Sequence, residues 1–301
     1  MKFVSVEYQR RIVPGLWLPD GVLDLEQAAQ RTGEDAPMSS VLEIIRGGKA
    51  SLTAVRRLAA RQLQDKSALL KHDAVKLLAP IPEPLRNIFC VGRNYLDHVK
   101  EGHAVRGTDV KLPEVPQFFT KATHTMNSPT GDVRLDPRLT KHLDYEVELA
   151  VIIGSRGRDI EPQQAFDHVF GYAVGNDVTA RDVQRRHDQW FKGKSLDTTF
   201  PFGPWIIDRE EIGDPRTLEL VMHVNGEERQ RAFVSQMIFD IPTIIASLSA
   251  GLTLEAGDII ATGTPSGVGY AMKPPQNLRG GDLLVTSISR IGELTNRIVE
   301  V

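Results

Sequence analysis

Two glutamates lie two residues apart in the stretch Asp144-Tyr-Glu-Val-Glu-Leu-Ala-Val-Ile-Ile153. Because side chains alternate between the two faces of a β-strand, Glu146 and Glu148 are predicted to share one face, opposite Val147 and Leu149. The apolar residues that follow indicate that both faces are covered, and burying two like charges is costly unless a proton or a cation compensates them. Oxygen ligands favour Mg²⁺, with Mn²⁺ and Ca²⁺ as alternatives, over Zn²⁺. An edge strand with its glutamates in water is the competing interpretation.

A third carboxylate, Asp177, follows the apolar stretch Phe170–Asn176, which is typical of a buried strand. The next residues, Thr179–Asp182, have the pattern of a helix N-terminus, so Asp177 is expected at a turn between strand and helix. A turn or capping aspartate is the alternative role. Three monodentate carboxylates would leave positions around Mg²⁺ open for water or for a bidentate 2-oxo carboxylate. Such an open site is typical of catalysis rather than of structural metal binding.

The segment Asn94–Gly102 predicts a short helix that is capped at its first residue and ends at its last. His98 and Glu101 are three residues apart and therefore lie on one face of this helix. A carboxylate can orient an imidazole that acts as a general base on water, although such pairs are also common on protein surfaces. The glycines and prolines that follow predict a mobile lid over Tyr95–Pro116 that closes over a bound ligand.

The glycine-containing motifs exclude two kinds of nucleotide site. Gly193-Lys194-Ser195 lacks the glycine five residues earlier that a phosphate-binding P-loop requires, because that position is Asp188. The glycines of Thr262–Gly269 are not in the order of a dinucleotide-binding fingerprint, and no helix is predicted after them. Lys194 could instead stabilise an enolate beside a metal, with an exposed lysine as the plain alternative.

The composition of the 301-residue chain is ordinary for a globular protein, with 41% hydrophobic and 25% charged residues and a net charge of −3. Residues 85–301 carry 24 basic and 29 acidic side chains, a poor match for the phosphate backbone of a nucleic acid. Cys90 is the single cysteine and is expected to be a small buried residue without a disulfide. The pattern shows neither a signal peptide nor a membrane span, so a cytoplasmic protein without a membrane partner is expected.

Three prolines within Pro80–Pro84 predict an extended connector. The predicted organisation is therefore a small α+β domain over residues 1–80, a connector over 81–84 and a second domain over 85–301. In the first domain we predict strands over Val4–Tyr8 and Ile12–Leu18 and a helix between Ser40 and Gly47. A further helix is predicted from apolar residues at helical spacing, namely Leu52, Val55, Leu58, Ala59 and Leu63.

The second domain is predicted to be rich in strands and poor in helices. Strands are predicted over Asn87–Val91, Gln117–Thr120, Tyr145–Ile153, Phe170–Asn176, Pro204–Asp208, Leu218–Val224, Ile259–Thr262, Leu283–Ile288 and Glu293–Val301. Helices are predicted over Tyr95–Glu101, Thr179–Trp190 and Phe239–Ala250. Asn225-Gly226 predicts a tight hairpin turn. Because strands and helices do not alternate, an α+β, β-rich barrel or sandwich is favoured over a doubly wound sheet.

Five motifs in register resemble those of the fumarylacetoacetate hydrolase superfamily. They are Val91-Gly-Arg-Asn-Tyr-Leu-Asp-His98, Asp144-Tyr-Glu-Val-Glu-Leu149, Asn176-Asp-Val-Thr-Ala-Arg-Asp-Val-Gln184, Gly193-Lys-Ser195 and Thr262-Gly-Thr-Pro-Ser-Gly-Val-Gly269. The resemblance covers residues 85–301 and implies a catalytic domain with a mixed β-roll or barrel, usually in a homodimer. It also implies a divalent metal held by Glu146, Glu148 and Asp177. Residues 1–80 resemble the variable N-terminal extension of longer members.

The resemblance further implies roles for residues outside the metal site. His98 and Glu101 match the catalytic dyad of members that cleave acylpyruvates, and Lys194 matches an active-site lysine. Thr264 and backbone N–H groups near it are expected to receive a substrate carboxylate. The remaining residues that we predict to bind substrate are Arg93, Lys121, Arg181 and Gln184.

Three functions are compatible with these residues. The first is Mg²⁺-dependent hydrolysis of the C–C bond of a 2,4-dioxo acid of the acylpyruvate or fumarylpyruvate type, through a metal-stabilised enolate. The second uses the same site without hydrolysis, as an oxaloacetate decarboxylase or a 2-hydroxymuconate-type isomerase. The third is a metal-binding protein without enzymatic activity, which the complete set of acids, dyad and lysine disfavours. In the first two functions, the partner is a small 2-oxo acid.

Overall fold

The computed structural model describes residues 1–62 and 66–301. The N-terminal unit contains strands β1 (Lys2–Tyr8), β2 (Arg11–Leu18) and β3 (Gly21–Asp24), helices α1 (Leu25–Thr32), α2 (Val41–Arg46) and α3 (Gly48–Gln62), and short strands β4 (Leu69–Leu70) and β5 (Lys76–Leu77). The two predicted strands pair antiparallel, and Ser40 caps α2 by accepting the Glu43 N–H at 3.0 Å. The predicted second helix is α3, and Leu63 lies outside the described residues.

The second region is a series of strands with few helices. Its first half contains β6 (Ile88–Gly92), α4 (Leu96–Arg106), β7 (Gln117–Lys121), β8 (Met126–Asn127), β9 (Val133–Leu135), β10 (Leu143–Asp144), β11 (Val147–Ile153), β12 (Val169–Asn176), β13 (Thr179–Ala180), α5 (Arg181–Arg186) and α6 (Phe191–Lys194). Its second half contains β14 (Phe200–Asp208), α7 (Arg209–Ile212), β15 (Glu219–Val224), β16 (Glu227–Phe233), α8 (Ile241–Ser249), β17 (Ile259–Ala261), β18 (Leu283–Ile288) and β19 (Gly292–Glu300). The prediction of a β-rich α+β fold is confirmed.

Two sheets pack against each other in the second region. The main sheet runs in the order β4-β3-β2-β1-β14-β12-β11-β17-β6-β7, and the smaller sheet in the order β16-β15-β18-β19-β9. The predicted hairpin at Asn225-Gly226 joins β15 to β16, with Val224 opposite Glu227. One hydrophobic core fills the space between the sheets and includes Val147 and Leu149 of β11.

The N-terminal unit covers the opposite face of the main sheet. A second core joins Ala150 and Ile152 of β11 to Ile44 of α2 and Val55 of α3. Both faces of β11 are therefore buried, as its apolar sequence predicts. Since β1 also pairs with β14, with Phe3 opposite Ile206, the two parts of the chain share one sheet and one core. The two stretches of sequence on either side of residues 81–84 thus contact each other extensively, and their division into two domains stays a prediction.

Three local predictions differ from the structure. The helix predicted over 179–190 is wrong at both ends, because Thr179–Ala180 pairs with β10 as β13 and α5 spans only Arg181–Arg186. Helix α4 begins after Tyr95 without the predicted Asn94 cap, since Asn94 Oδ1 accepts the Phe239 N–H instead, and it runs through Gly102 to Gly107, whose left-handed φ of 64° closes it. The strand predicted over 204–208 begins earlier, at Phe200, so that β14 also reaches the acidic end of β12.

In the described part of the chain, no helix has the length and apolar character needed to cross a membrane.

The shared core predicts that the N-terminal unit and the second region unfold together. Phe3 is 0% exposed, and its ring centroid lies 5.1 Å from that of Phe170 in β12. Phe3→Ala should lower the free energy of unfolding by about 3–5 kcal/mol in urea titrations. Circular dichroism and tryptophan fluorescence should still report one coincident transition.

Phe233→Ala is the matched control, because Phe233 is 46% exposed and its truncation should change stability by only about 0.5 kcal/mol. An early transition confined to the N-terminal unit would show instead that it is an independent domain.

Candidate active site and metal centre

The three acidic residues converge where two paired strands meet. β11 and β12 are antiparallel with Val147 opposite Asn176, so the residue before β11 lies beside the residue after β12. The Asp177 N–H donates to the Glu146 carbonyl at 2.9 Å, and the Glu146 N–H donates to the Asn176 side chain at 3.0 Å. The carboxylates of Glu146, Glu148 and Asp177, here called the acid triad, are buried with ligand atoms within 4.8 Å of one another.

Three buried cations surround the acid triad. Lys194 Nζ lies 2.6 Å from both Glu146 Oε2 and Asp177 Oδ2. Lys121 Nζ lies 2.8 Å from Asp177 Oδ1, and Arg181 Nη2 lies 2.6 Å from Glu146 Oε1. Burial opposes the charge of Lys194, but the attraction of Asp177 and Glu146 outweighs burial and raises the pKa of its ammonium above the ordinary value. The lysine therefore stays charged between two carboxylates.

Glu148 is the member of the acid triad without a basic side chain against it. Its Oε2 accepts the Gly263 N–H at 2.9 Å, and within residues 1–62 and 66–301 no lysine or arginine forms an ion pair with it. Burial raises the pKa of this carboxyl well above its usual range, and repulsion from Asp177 and Glu146 raises it further. An all-oxygen set with one uncompensated carboxyl fits a hard divalent cation, which can take the place of the proton.

The predicted dyad is formed on α4. His98 Nδ1 lies 2.7 Å from Glu101 Oε1, and Glu101 Oε2 accepts the Gly267 N–H at 2.9 Å. This network assigns the ring proton to Nδ1, where it is donated to the carboxylate, and leaves Nε2 as an acceptor. His98 lines the pocket described next, and Glu101 lies behind it. The arrangement can move a proton to or from a molecule in that pocket.

A pocket of about 400 Å³ opens onto the acid triad. Eight of the residues that the sequence singles out line it together: Arg93, His98, Glu146, Glu148, Arg181, Gln184, Lys194 and Thr264. Arg106, Arg185, Trp190 and Tyr270 contribute further polar or aromatic surface. The structure thus brings these side chains around one space, and their individual roles stay predictions.

The positions of Lys121 and of residues 262–269, here called the glycine-rich loop, differ from the substrate-binding roles that the sequence predicts. Lys121 is 0% exposed behind Asp177, where it also donates to the Val178 carbonyl at 3.0 Å, so it supports the acid triad instead of facing the pocket. Several N–H groups near Thr264 are also taken by the protein's own carboxylates. The donors of this set are Gly263 to Glu148, Gly267 to Glu101, and Gly269 and Tyr270 to Asp144.

A glycine explains how Lys194 reaches the acid triad. A Cβ at position 193 would lie 2.4 Å from the Gln184 backbone nitrogen, a distance that no side chain tolerates. Gly193 therefore lets α6 approach α5 closely enough for Lys194 to point inward. The Gly-Lys-Ser motif serves this close approach, which agrees with the exclusion of a P-loop.

Two supporting residues are missed by reasoning from the sequence. Asp144 accepts from Arg181 Nε at 2.9 Å and thereby aims the guanidinium at Glu146. Gln230 accepts the Val147 N–H at 3.0 Å and donates to Thr264 Oγ1 at 2.8 Å, so it links β11 to the glycine-rich loop. The sequence contains a feature that could have identified each residue. Asp144 is the first residue of the acidic motif, and Gln230 occupies an inward-facing position of a hairpin strand.

Comparison with known proteins agrees with this geometry. The family model for the fumarylacetoacetate (FAA) hydrolase C-terminal region matches residues 87–299. Oxaloacetate tautomerase YisK from Bacillus subtilis (strain 168) is 45% identical over 304 residues, covering 99% of this chain and 100% of the relative. The solved structure of the fumarylacetoacetate hydrolase EaFAH from psychrophilic Exiguobacterium antarcticum covers 100% of both chains with a TM-score of 0.83 and 40% identity.

A further solved structure bears on the acid triad. Maleylpyruvate hydrolase from Sphingobium sp. SYK-6, in complex with manganese(II) ion and pyruvate, matches with a TM-score of 0.77 and 28% identity over 100% of this chain and 99% of that chain. The matches to the tautomerase and to the two solved structures extend over nearly the whole sequence, so they include the N-terminal unit as well as the motifs. The chain therefore belongs to the fumarylacetoacetate hydrolase superfamily of enzymes.

Proposed function

We propose that this enzyme interconverts the enol and keto forms of oxaloacetate, with a divalent cation, Mg²⁺ or Mn²⁺, bound at the acid triad. The proposal departs from the preference for hydrolysis that the sequence suggests and takes up the isomerase alternative. It is supported by the full-length similarity to an oxaloacetate tautomerase. The observation that carries it is the distribution of charge along the pocket.

The pocket is lined by positive charge in addition to the side chains that pair with the acid triad. Arg93 adopts a left-handed φ of 56° and stacks over Trp190, 5.5 Å from the ring centroid. Burial, with added repulsion from Arg106, lowers the pKa of Arg93, and both guanidiniums line the pocket. No carboxylate of the described residues forms an ion pair with either one. Two unpaired guanidiniums favour an anion between them, and oxaloacetate has a carboxylate at each end.

The acid-triad end suits the 2-oxo acid end of such a substrate. When bound, a divalent cation supplies Lewis-acid stabilisation of negative charge on the substrate's 2-oxygen. Lys194 lies beside the same carboxylates, 2.6 Å from two of them, and adds a positive charge where an enolate develops. Arg181 forms ion pairs with Asp144 and Glu146 and thereby fixes the part of the pocket wall that lies between these two carboxylates.

The proton transfer is assigned to His98. Conversion of enol to keto removes a proton from the 2-hydroxyl group and adds one at C3, and the reverse reaction does the opposite. With Nδ1 bound to Glu101, Nε2 of His98 is the nitrogen available to give or take the C3 proton. Glu101 stabilises the imidazolium form that exists between the two transfers.

Hydrolysis of a 2,4-dioxo acid is the second candidate. The structural similarity to maleylpyruvate hydrolase favours it, and the same dyad can activate water. Enol-oxaloacetate and an acylpyruvate offered to one preparation distinguish the two reactions. Ketonisation followed by absorbance, with deuterium incorporation at C3, supports tautomerisation. Release of pyruvate from the acylpyruvate at a higher kcat/KM would support hydrolysis instead.

Glu148→Gln should abolish stabilisation by divalent cations. The wild-type melting temperature should rise when Mg²⁺ or Mn²⁺ replaces EDTA, because a ligand at about 100 times its Kd adds about 2.7 kcal/mol to the native state. The variant should show little rise, and without metal it should be as stable as the wild type or more so, since one of three clustered carboxylates is gone.

Glu227→Gln is the control, because Glu227 is an exposed residue whose carboxylate pairs with Arg229 and lies outside the pocket lining. An equal metal-induced shift in the Glu148 variant would remove the acid triad from metal binding.

His98→Ala should lower kcat for ketonisation by about 10²–10⁴, the usual contribution of a positioned general base. Its melting-temperature response to Mg²⁺ should stay unchanged, because His98 is not a ligand in the proposal. His103→Ala is the matched control, since His103 lies on the same helix but bonds to Thr108. Full activity in the His98 variant would exclude it as the proton-transfer residue.

Arg106→Gln should raise KM for oxaloacetate about 10-fold or more while changing kcat less, since a charge-assisted bond to a carboxylate contributes about 1.5–3 kcal/mol. Inhibition by oxamate, which has one carboxylate, should be unaffected. Lys100→Gln removes an exposed charge from the same helix and serves as control. An unchanged KM would place the second carboxylate elsewhere.

A further inference from the structure

A second cavity, of about 670 Å³, shares no lining residue with the active-site pocket. Its walls are mainly apolar and include Phe166, Val234, Met237 and Ile241. Tyr172 of β12 and Arg209 at the start of α7 also line it. The proposed function uses none of these residues.

The Tyr172 side chain carries a hydroxyl without a partner. Tyr172 is 0% exposed, and no atom of the described residues forms a hydrogen bond with its hydroxyl oxygen. A buried hydroxyl that has left water without gaining a partner destabilises the folded state, so such groups in native proteins call for an explanation. A ligand that accepts a hydrogen bond in this cavity would supply one.

Arg209 lines the same cavity as Tyr172 and has spare hydrogen-bonding capacity. Burial raises the pKa of Tyr172, and the charge of Arg209 is the largest influence that opposes this rise. The guanidinium donates through Nη1 to the Phe166 carbonyl, and it lies 3.7 Å from Asp167, beyond hydrogen-bond distance. Its other N–H groups form no hydrogen bond within the described residues.

Three acids that line this cavity have partners other than Arg209. Asp214 pairs with Arg216 at 2.8 Å, Glu210 pairs with Arg56 at 2.6 Å, and Asp240 accepts the Thr243 N–H as the cap of α8. These contacts reduce the repulsion that an anion would meet at the rim. Tyr172 and Arg209 are then two donors that can recognise a ligand beside an apolar wall.

We propose that this cavity binds a small molecule with an apolar, preferably aromatic, body and a single carboxylate. The carboxylate accepts from Tyr172 and Arg209, and the body packs between Phe166, Met237 and Ile241. The inference goes beyond the proposed function and does not depend on it.

The segment that lines this cavity is tied to the catalytic helix. Met237 forms a bridge with Tyr95, and the Ile238 N–H donates to the Asn94 carbonyl at 2.7 Å. The Phe239 N–H donates to Asn94 Oδ1 at 2.8 Å, directly before α4 begins. A ligand that packs against Met237 therefore contacts the support of the helix that carries His98.

Phenylacetate is a suitable probe, and isothermal titration calorimetry measures its binding without turnover. Mg²⁺ and oxamate at saturating concentration occupy the active site, so that the titration reports a second site. Tyr172→Phe and Arg209→Gln should each weaken phenylacetate binding about 10-fold or more. Arg138→Gln, an exposed arginine outside this cavity, should leave it unchanged. Phenylacetamide should bind more weakly than phenylacetate.

Tyr172→Phe also distinguishes a ligand site from a structural hydroxyl. Without phenylacetate the variant should melt at the same temperature as the wild type or higher, because it loses only an unpartnered group. A lower melting temperature would show that the hydroxyl has a structural partner and would overturn the proposal. So would wild-type protein that fails to bind phenylacetate, or variants that bind it equally well.

The connection between this cavity and helix α4 can be tested separately by measuring kcat. Saturating phenylacetate should change kcat for the wild-type enzyme without competing with oxaloacetate, and should have no effect on the Arg209 variant. Binding with an unchanged rate would overturn the link to the catalytic helix and leave the binding site in place. Loss of tautomerase activity in the wild type would bear on the proposed function alone.

Discussion

The repulsion among the three buried carboxylates of the acid triad is the constraint on which the rest of the structure depends. Their ligand atoms lie within 4.8 Å of one another in the protein interior, where like charges cannot remain together without compensation. Lys194 and Lys121 flank Asp177, and Arg181 flanks Glu146. Every basic side chain around the triad is itself buried, so each depends on the acids as much as the acids depend on it. Among the described residues, no basic side chain pairs with Glu148, so its charge is the one that an added cation would compensate.

The fold supplies rigid elements for this arrangement. The acidic residues lie at the ends of β11 and β12, which are buried on both faces, so their positions follow from the register of a packed strand pair. The smaller sheet covers one face and the N-terminal unit covers the other. The N-terminal unit thus contributes to the site without a residue in the pocket, because it excludes water from the face that carries Glu148.

The sequence predicts the parts of the site that follow a local period. Alternation along the strand places Glu146 and Glu148 together, and helical spacing places His98 beside Glu101. Most strands, and the turn at Asn225-Gly226, are also predicted within a few residues. Contacts between segments distant in the sequence are not predictable in this way. The pairing of β1 with β14 depends on residues about 200 positions apart along the chain, and no spacing rule contains it.

The same limit explains why the position of Lys121 behind Asp177 does not follow from the sequence. Its position at the end of β7 follows from its neighbours in sequence, but its burial behind Asp177 depends on the segment around Val178 and Thr199. The helix predicted from Thr179 fails for a related reason. Thr179 and Ala180 have a helical N-terminal pattern, but their backbone groups pair with Leu143 and Asp144 instead, so a tertiary contact overrides the local preference.

The glycine-rich loop supplies backbone N–H donors to several carboxylates of the site. Its N–H groups donate to Glu148 of the acid triad, to Glu101 of the dyad and to Asp144, which holds Arg181. In nucleotide-binding enzymes, the backbone N–H groups of such a loop bind phosphate together with the N-terminus of a following helix. In this protein the N–H groups donate to the protein's own carboxylates, so the loop needs no following helix.

Glu101 accepts from His98 through one oxygen and from Gly267 through the other. A glutamine at position 101 has one oxygen and could accept only one of these bonds, with its NH₂ group facing the second donor. The carboxylate is thus required both to orient His98 and to hold α4 against the loop, which joins His98 to the acid triad through a single backbone segment.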